Sequence, residues 1–145
     1  MNREYPVHPI AAVGAIVISE DKLLLVRRGF EPSKDMWTVP GGAVELGEKV
    51  KDAVIREAKE ECGLEIRIEE ERPIDVIDTI IVNENGRPQY HYIVLYFLGR
   101  RKDGQLRAGG DAKETRWVPF QEVTNYDLTS GFRAFFEKYG SKLRA

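Results

Sequence analysis

The first part of the chain consists of apolar, strand-like runs separated by short polar breaks. Residues 11–18 and 22–28 are rich in β-branched residues and leucine, and three polar residues join them. This pattern predicts an antiparallel hairpin. Residues 37–39 are predicted to be short and extended, and the Pro-Gly-Gly sequence at 40–42 is expected to break regular structure.

Residues 49–62 form the clearest helical segment of the sequence. They contain neither Gly nor Pro, and they are followed by Gly63, the residue type favoured just past a helix end. On a helical wheel the apolar positions fall on two faces, the first made by Val50, Ala53 and Val54 and the second by Ile55, Ala58 and Cys62. The pattern predicts a helix that is covered on two sides.

Two longer extended segments follow the helix. Residues 65–82, interrupted at Pro73, and residues 90–101 are separated by a segment that contains an Asn-Gly turn signal, so a second antiparallel pair is predicted. Residues 116–118 are predicted to form a short strand.

An aromatic stripe predicts a helix near the C-terminus. Thr129 can cap it, Gly140 is expected to end it, and its apolar positions recur with helical spacing at Phe132, Phe135, Phe136 and Tyr139. The order of strands, helix, strands and helix indicates one mixed α/β domain over residues 1–145.

Three glutamates interrupt the apolar face of the first helix. If the face of Val50 and Val54 is continued along the helix, the next positions are Glu57 and Glu61, with Glu60 beside them. Two like charges about 4 Å apart repel by roughly 4 kcal/mol at an effective dielectric of about 20. Such a group must take up protons or bind cations, and oxygen ligands without His or Cys indicate Mg²⁺ or Mn²⁺.

Glycines and an arginine flank these glutamates. Gly41 and Gly42 let the backbone pass close to the carboxylates, and a free carbonyl there can be a further oxygen ligand. The helical wheel places Arg56 on the outward side. Glu48 and Arg56 are nevertheless candidates for an ion pair that orients Glu57.

Composition narrows the classes of partner. The chain has 22 basic and 24 acidic residues and a net charge of −2, which excludes a global cationic field for long nucleic acid but allows small anionic substrates held through a metal. Cys62 is the single cysteine, so no intramolecular disulfide is expected. The apolar run at residues 9–18 is too short to span a bilayer. A cytoplasmic location without membrane contact is therefore expected.

The spacing of the acidic segment resembles the Nudix box, G-x5-E-x7-R-E-U-x-E-E-x-G-U, over residues 42–64. It is carried by Gly42, Glu48, Arg56, Glu57, Ala58, Glu60, Glu61, Gly63 and Leu64, and Ala58 departs from the pattern only in size. The resemblance implies a Nudix fold, an α/β/α sandwich around a mixed β-sheet, and a pyrophosphohydrolase that uses Mg²⁺, or else Mn²⁺.

Carried over position by position, the resemblance assigns roles to individual residues. The implied metal-binding set is the carbonyl of Gly41 and the side chains of Glu57, Glu60 and Glu61, supported by Glu48 and Arg56. Glu114 matches an acidic residue of a late loop that serves some members as general base or as a further metal ligand, and Glu57 is the alternative base. Arg27 or Arg28 is expected to bind a phosphate.

The flanking segments rank the substrates. Arg27-Arg28-Gly29, Glu31-Pro32 and Gly110-Asp111-Ala112 are similar to the ADP-ribose pyrophosphatases of the family, so ADP-ribose ranks first. A nucleoside triphosphate pyrophosphatase that removes oxidised nucleotides ranks second, and a non-catalytic nucleotide-binding domain ranks third because the acidic box positions are intact. Candidate surfaces for stacking a base are Trp37, Tyr90, Tyr92 and Tyr126. A homodimer is compatible with these expectations.

Overall fold

The computed structural model describes residues 3–143, which form eight strands, two α-helices and a 3₁₀ helix. The strands are β1 (Ile10–Ser19), β2 (Lys22–Arg28), β3 (Trp37–Thr38), β4 (Gly41–Ala43), β5 (Leu64–Ile68), β6 (Asp75–Val82), β7 (Pro88–Gly104) and β8 (Ala112–Pro119). The helices are α1 (Val50–Cys62), the 3₁₀ helix (Phe120–Asn125) and α2 (Ser130–Leu143). The predicted domain also includes residues 1, 2, 144 and 145, which lie outside the described residues.

The strands form a mixed sheet centred on β1 and β7. These two strands pair in parallel, from Ile10 opposite Tyr92 to Val17 opposite Gly99. Strand β7 also pairs antiparallel with β5 and β6, while β2 pairs antiparallel with β3 and β8. The second predicted antiparallel pair therefore exists as β6 and β7.

Each helix covers one face of this sheet. Side chains of β2 alternate between two apolar cores, as expected for a strand buried on both faces. Leu24 and Val26 lie in the core that contains Ala53 and Val54 of α1. The core on the other side contains Leu23, Leu25, Phe132 and Phe135. The predicted α/β/α sandwich is confirmed.

The predicted first hairpin is present but short, and one prediction about the strands was wrong. The first hairpin is paired only beside its turn, at Ile18 with Leu23 and at Ser19 with Lys22. Away from the turn, β1 pairs with β7 and β2 pairs with β8. The Pro-Gly-Gly segment does not end regular structure, because β4 pairs with β1. A Cβ on Gly41 would lie 2.1 Å from the carbonyl oxygen of Val13, so only glycine allows this pairing.

Two predictions about the helices were also wrong. Helix α2 continues past Gly140 to Leu143, and Gly140 is buried where a Cβ would lie 3.1 Å from the ring of Phe136. The glycine therefore makes room for an aromatic ring. On α1 the second predicted face is incomplete, because Ile55 is exposed while Ala58 and Cys62 are fully buried.

The remaining features agree with the composition. The thiol of Cys62 is buried and free, and burial raises its pKa well above the usual range, so it packs as a small apolar residue. Within residues 3–143, no helix is both long and apolar enough to cross a membrane.

Candidate metal and substrate site

Two carboxylates of α1 are withdrawn from solvent beside β4. Glu61 is 7% exposed, less than any other charged residue between residues 3 and 143. The side chain of Glu57 is 12% exposed, whereas that of Glu60 is 53% exposed. The predicted trio is therefore the buried Glu61, the largely buried Glu57 and a surface residue, Glu60.

The glycines of β4 lie directly against the buried pair. The backbone N–H of Gly41 donates to Oε1 of Glu61 at 2.9 Å. A Cβ on Gly42 would lie 2.6 Å from Oε1 of Glu57. The absence of side chains at these two positions thus lets the backbone of β4 contact both carboxylates.

Arg56 lies among the glutamates and not on the outward side that the helical wheel predicted. Its Nε and Nη2 donate to the two carboxylate oxygens of Glu48 at 2.7 and 2.9 Å. Its Nη1 donates to Glu57 at 2.9 Å and to Glu60 at 3.2 Å. The hydrogen bond from Arg56 lowers the pKa of Glu48. The predicted ion pair between Glu48 and Arg56 is present, and Arg56 also contacts Glu57.

Burial makes the two inner carboxylates weak acids. It raises the pKa of Glu57 to about 7, although the charge of Arg56 opposes the change. It raises the pKa of Glu61 to about 8, although the Gly41 N–H opposes the change. A divalent cation is the partner that would keep both groups ionised at neutral pH.

The donors fit a hard cation. Glu57, Glu60 and Glu61 offer carboxylate oxygens, and no histidine lines the cavity beside them, which favours Mg²⁺ or Mn²⁺ over zinc. Among residues 3–143, no three Asp, Glu, His or Cys side chains are already arranged to hold a metal. Glu60 would have to turn from Arg56 to join its two neighbours.

A cavity of about 790 Å³ opens in front of the carboxylates, within the range of small-molecule sites. Its walls come from both halves of the chain. Among its lining residues are Arg28, Gly41, Gly42, Glu57, Glu60, Glu61, Thr79, Tyr90, Tyr92 and Asp111. The carboxylates and a group of aromatic and polar residues therefore share one space.

Comparison with known proteins agrees with the motif and the fold. A model of the NUDIX domain matches residues 8–139, most of the described chain. The chain belongs to the NUDIX family. Its Nudix box begins in β4, runs through α1 and ends at Leu64 of β5, and Gly63 ends the helix in the left-handed conformation with φ of 72°.

The chain is similar to several known proteins. It is 36% identical over 116 residues to an ADP-ribose pyrophosphatase of Methanocaldococcus jannaschii, covering 80% of this chain and 65%, just under two thirds, of that protein. It is 28% identical over 109 residues to the nucleoside triphosphatase NudI of Escherichia coli K12, covering 73% and 76%. The crystal structure of a MutT NUDIX hydrolase from Burkholderia pseudomallei gives a TM-score of 0.75 at 28% identity, covering 90% and 97%.

Of the two candidate arginines of this Nudix domain, the structure brings one to the cavity. Arg28 lines it, and Nε of Arg28 donates to the carbonyl oxygen of Pro32 at 2.7 Å. Arg27 is held elsewhere by Asp35, whose carbonyl accepts from its Nε at 3.2 Å, and by Glu114 at 3.7 Å. Arg28 is therefore the better placed residue for a phosphate.

Glu114 lies apart from the buried carboxylates. It stands on β8 opposite Arg27, so its predicted position in a loop was wrong. It also pairs with Arg116 at 2.5 Å, and it is not among the residues that line the cavity. Its role as a base stays a prediction, and in the structure its partly exposed carboxylate forms ion pairs with Arg27 and Arg116.

Asp111 was used in the sequence analysis only to rank the substrates, and its place at the site was missed. It lines the cavity, and its charge adds to the effect of burial on Glu57 and Glu61. Its loop is attached to the end of α1, where the N–H of Gly109 donates to the carbonyl of Glu61 at 3.0 Å. A Cβ on Gly109 would lie 2.6 Å from the carbonyl oxygen of Glu60. The Gly109-Gly110 pair was the signal that this loop approaches the helix closely.

Proposed function

We propose that this protein is a Mg²⁺-dependent pyrophosphohydrolase that cleaves the diphosphate of a nucleoside diphosphate derivative, with ADP-ribose as the first-ranked substrate. The observation that carries the proposal is the pair of buried carboxylates, Glu57 and Glu61, against the glycine backbone of β4 in a nucleotide-sized cavity. The ranking of ADP-ribose is supported by the similarity to the M. jannaschii ADP-ribose pyrophosphatase.

Different residues would bind the metal and orient its ligands. Glu57, Glu60 and Glu61 would hold the metal together with the carbonyl of Gly41, and Mn²⁺ is an alternative ion. When bound, such an ion supplies charge neutralisation for the phosphates and acidity for an attacking water. Arg56 orients Glu57 through its hydrogen bond.

Other residues would bind the substrate and accept the proton of the attacking water. Arg28 reaches the cavity and would bind a phosphate oxygen, while its Nε is anchored by Pro32. Glu57 and Glu114 were the predicted acceptors of the water proton, and the position of Asp111 makes it a third candidate.

Paired substitutions at the two late carboxylates test which one takes part in the reaction. Asp111→Asn is expected to lower kcat by about tenfold or more, because Asp111 lines the cavity. Glu114→Gln is expected to leave the melting temperature almost unchanged and to slow the reaction if Glu114 is the base. Steady-state rates and thermal melts of both variants decide between them. If Asp111→Asn keeps the parent rate and Glu114→Gln is slow, Glu114 is the residue that takes part in the reaction.

A substrate panel tests the ranking of substrates. ADP-ribose is expected to give AMP and ribose 5-phosphate with a higher kcat/KM than nucleoside triphosphates give monophosphate and pyrophosphate. The panel contains normal and oxidised triphosphates, with Mg²⁺ present throughout. A triphosphate that exceeds ADP-ribose by tenfold, about 1.4 kcal/mol of transition-state preference, would establish the second candidate, the triphosphate pyrophosphatase, which the similarity to NudI favours. If no diphosphate is cleaved, the non-catalytic nucleotide-binding domain is the remaining candidate.

A further inference from the structure

The structure separates the four aromatic residues that could stack against a base into two pairs. Trp37 and Tyr126 belong to the core beside α2 and contact each other with ring centroids 5.1 Å apart. Tyr90 and Tyr92 are members of neither core, and both line the cavity. Packing therefore accounts for the first pair but not for the second.

Tyr90 and Tyr92 present their rings in one orientation. They lie two residues apart on β7, so their side chains leave the same face of the sheet. Their ring planes are 11° apart and their centroids are 6.5 Å apart. The residues opposite them on β6 are Ile81 and Thr79, which also line the cavity. Together these four side chains make one wall of the cavity.

Arg28 connects this wall with the carboxylates. It lies close enough to interact electrostatically with Glu61 and with both tyrosines. The proposed phosphate-binding residue therefore lines the same cavity as the carboxylates and the tyrosines. A nucleotide carries groups that match these residues, because its phosphates, which suit an arginine, are joined through ribose to a flat base, which suits aromatic rings.

We propose that Tyr90 and Tyr92 form the platform on which the nucleobase of the substrate stacks, a role that rests on the proposed function of the same site. Aromatic rings stack on the π-face of every base. The platform would thus contribute affinity for a nucleoside without selecting strongly among bases. The diphosphate would extend from it past Arg28 to Glu57 and Glu61.

Binding of two product fragments tests the platform without requiring turnover. Calorimetric titration with AMP, in the presence of Mg²⁺, is expected to show about tenfold or greater weakening in Tyr92→Ala and in Tyr90→Ala. Ribose 5-phosphate has no base, so its affinity is expected to stay within about twofold of the parent value in both variants. Tyr92→Phe and Tyr90→Phe keep the rings and are expected to restore the affinity for AMP.

Tyr126→Ala is the matched control, because Tyr126 packs in the core and does not line the cavity. Thermal melts of all variants are used to check that each is folded. Unchanged AMP affinity in both alanine variants, or failure of the phenylalanine variants to restore it, would overturn the platform. Equal weakening of AMP and ribose 5-phosphate would overturn it as well.

The kinetic readout distinguishes this proposal from the proposed function. If ADP-ribose is cleaved and its KM is unchanged in Tyr92→Ala, the platform fails while the function stands. If no diphosphate is cleaved but AMP binding depends on the rings, the function fails while the platform stands. If both the platform and the proposed function are correct, Tyr92→Ala is expected to raise KM for ADP-ribose about tenfold and to change kcat little.

Discussion

Glu61→Gln is expected to lower kcat by at least about 100-fold while the protein stays folded. The glutamine removes the negative charge that is proposed to bind the metal but keeps the shape of the protonated acid. Because burial raises the pKa of Glu61 to about 8, the metal-free protein holds this group largely protonated at neutral pH. The oxygen of glutamine can still accept the hydrogen bond that Gly41 donates to Oε1. Stopped-time assays of phosphate-ester products at saturating Mg²⁺ measure the loss.

Two comparisons make this result specific. Glu84→Gln changes an exposed glutamate in the turn between β6 and β7, and it is expected to keep the parent rate. Excess chelator is expected to abolish the activity of the parent. Near-normal turnover in Glu61→Gln, or in the parent with chelator, would contradict the assignment of Glu61 as a metal ligand.

Mg²⁺ is expected to stabilise the protein much more at alkaline than at acid pH. The pKa values of Glu57 and Glu61 in the folded protein, about 7 and about 8, lie above the ordinary value of 4.5. The folded state therefore holds more protons than the unfolded state between these limits, and its stability without metal falls as pH rises through them. A cation that binds the ionised pair offsets this loss and has most effect where both groups are ionised.

Thermal melts with and without Mg²⁺ at each pH measure the stabilisation by the ion. Titrating groups that do not bind Mg²⁺ affect both melts equally, so their contributions cancel when the two Tm values are subtracted. The increase in Tm on adding Mg²⁺ is expected to be larger by several degrees at about pH 8 than at about pH 5.5. Glu61→Gln is expected to lose most of this difference between the two pH values. An equal increase at both would show that Mg²⁺ does not bind these carboxylates.

Local sequence pattern was sufficient for the position of α1 and for the inward placement of two of its carboxylates. A Gly- and Pro-free segment followed by Gly63 predicted the helix, and helical spacing predicted that Glu57 and Glu61 continue an apolar face. These properties depend on residues within a few turns of one another, so no distant contact is needed to infer them. The Nudix box is readable for the same reason, because all its residues lie within 42–64.

Distant strand pairing decided which flanking residues reach the site. Neighbouring residues of a strand point to opposite faces, so the sequence alone could not choose between Arg27 and Arg28. Pairing of β2 with β8 decided it, with a shift of register between these two arginines. The attachment of the Asp111 loop to the end of α1 likewise depends on contacts between distant segments.

The sequence by itself thus determined the helix, its carboxylates and the family, because these are patterns of short range. Only the tertiary structure decided that Asp111 and Arg28 line the cavity while Glu114 and Arg27 pair with each other. Tertiary structure also decided the acidity of Glu57 and Glu61, because their raised pKa values come first from burial. Burial is a property of the whole fold, since it depends on which distant segments exclude water from a side chain.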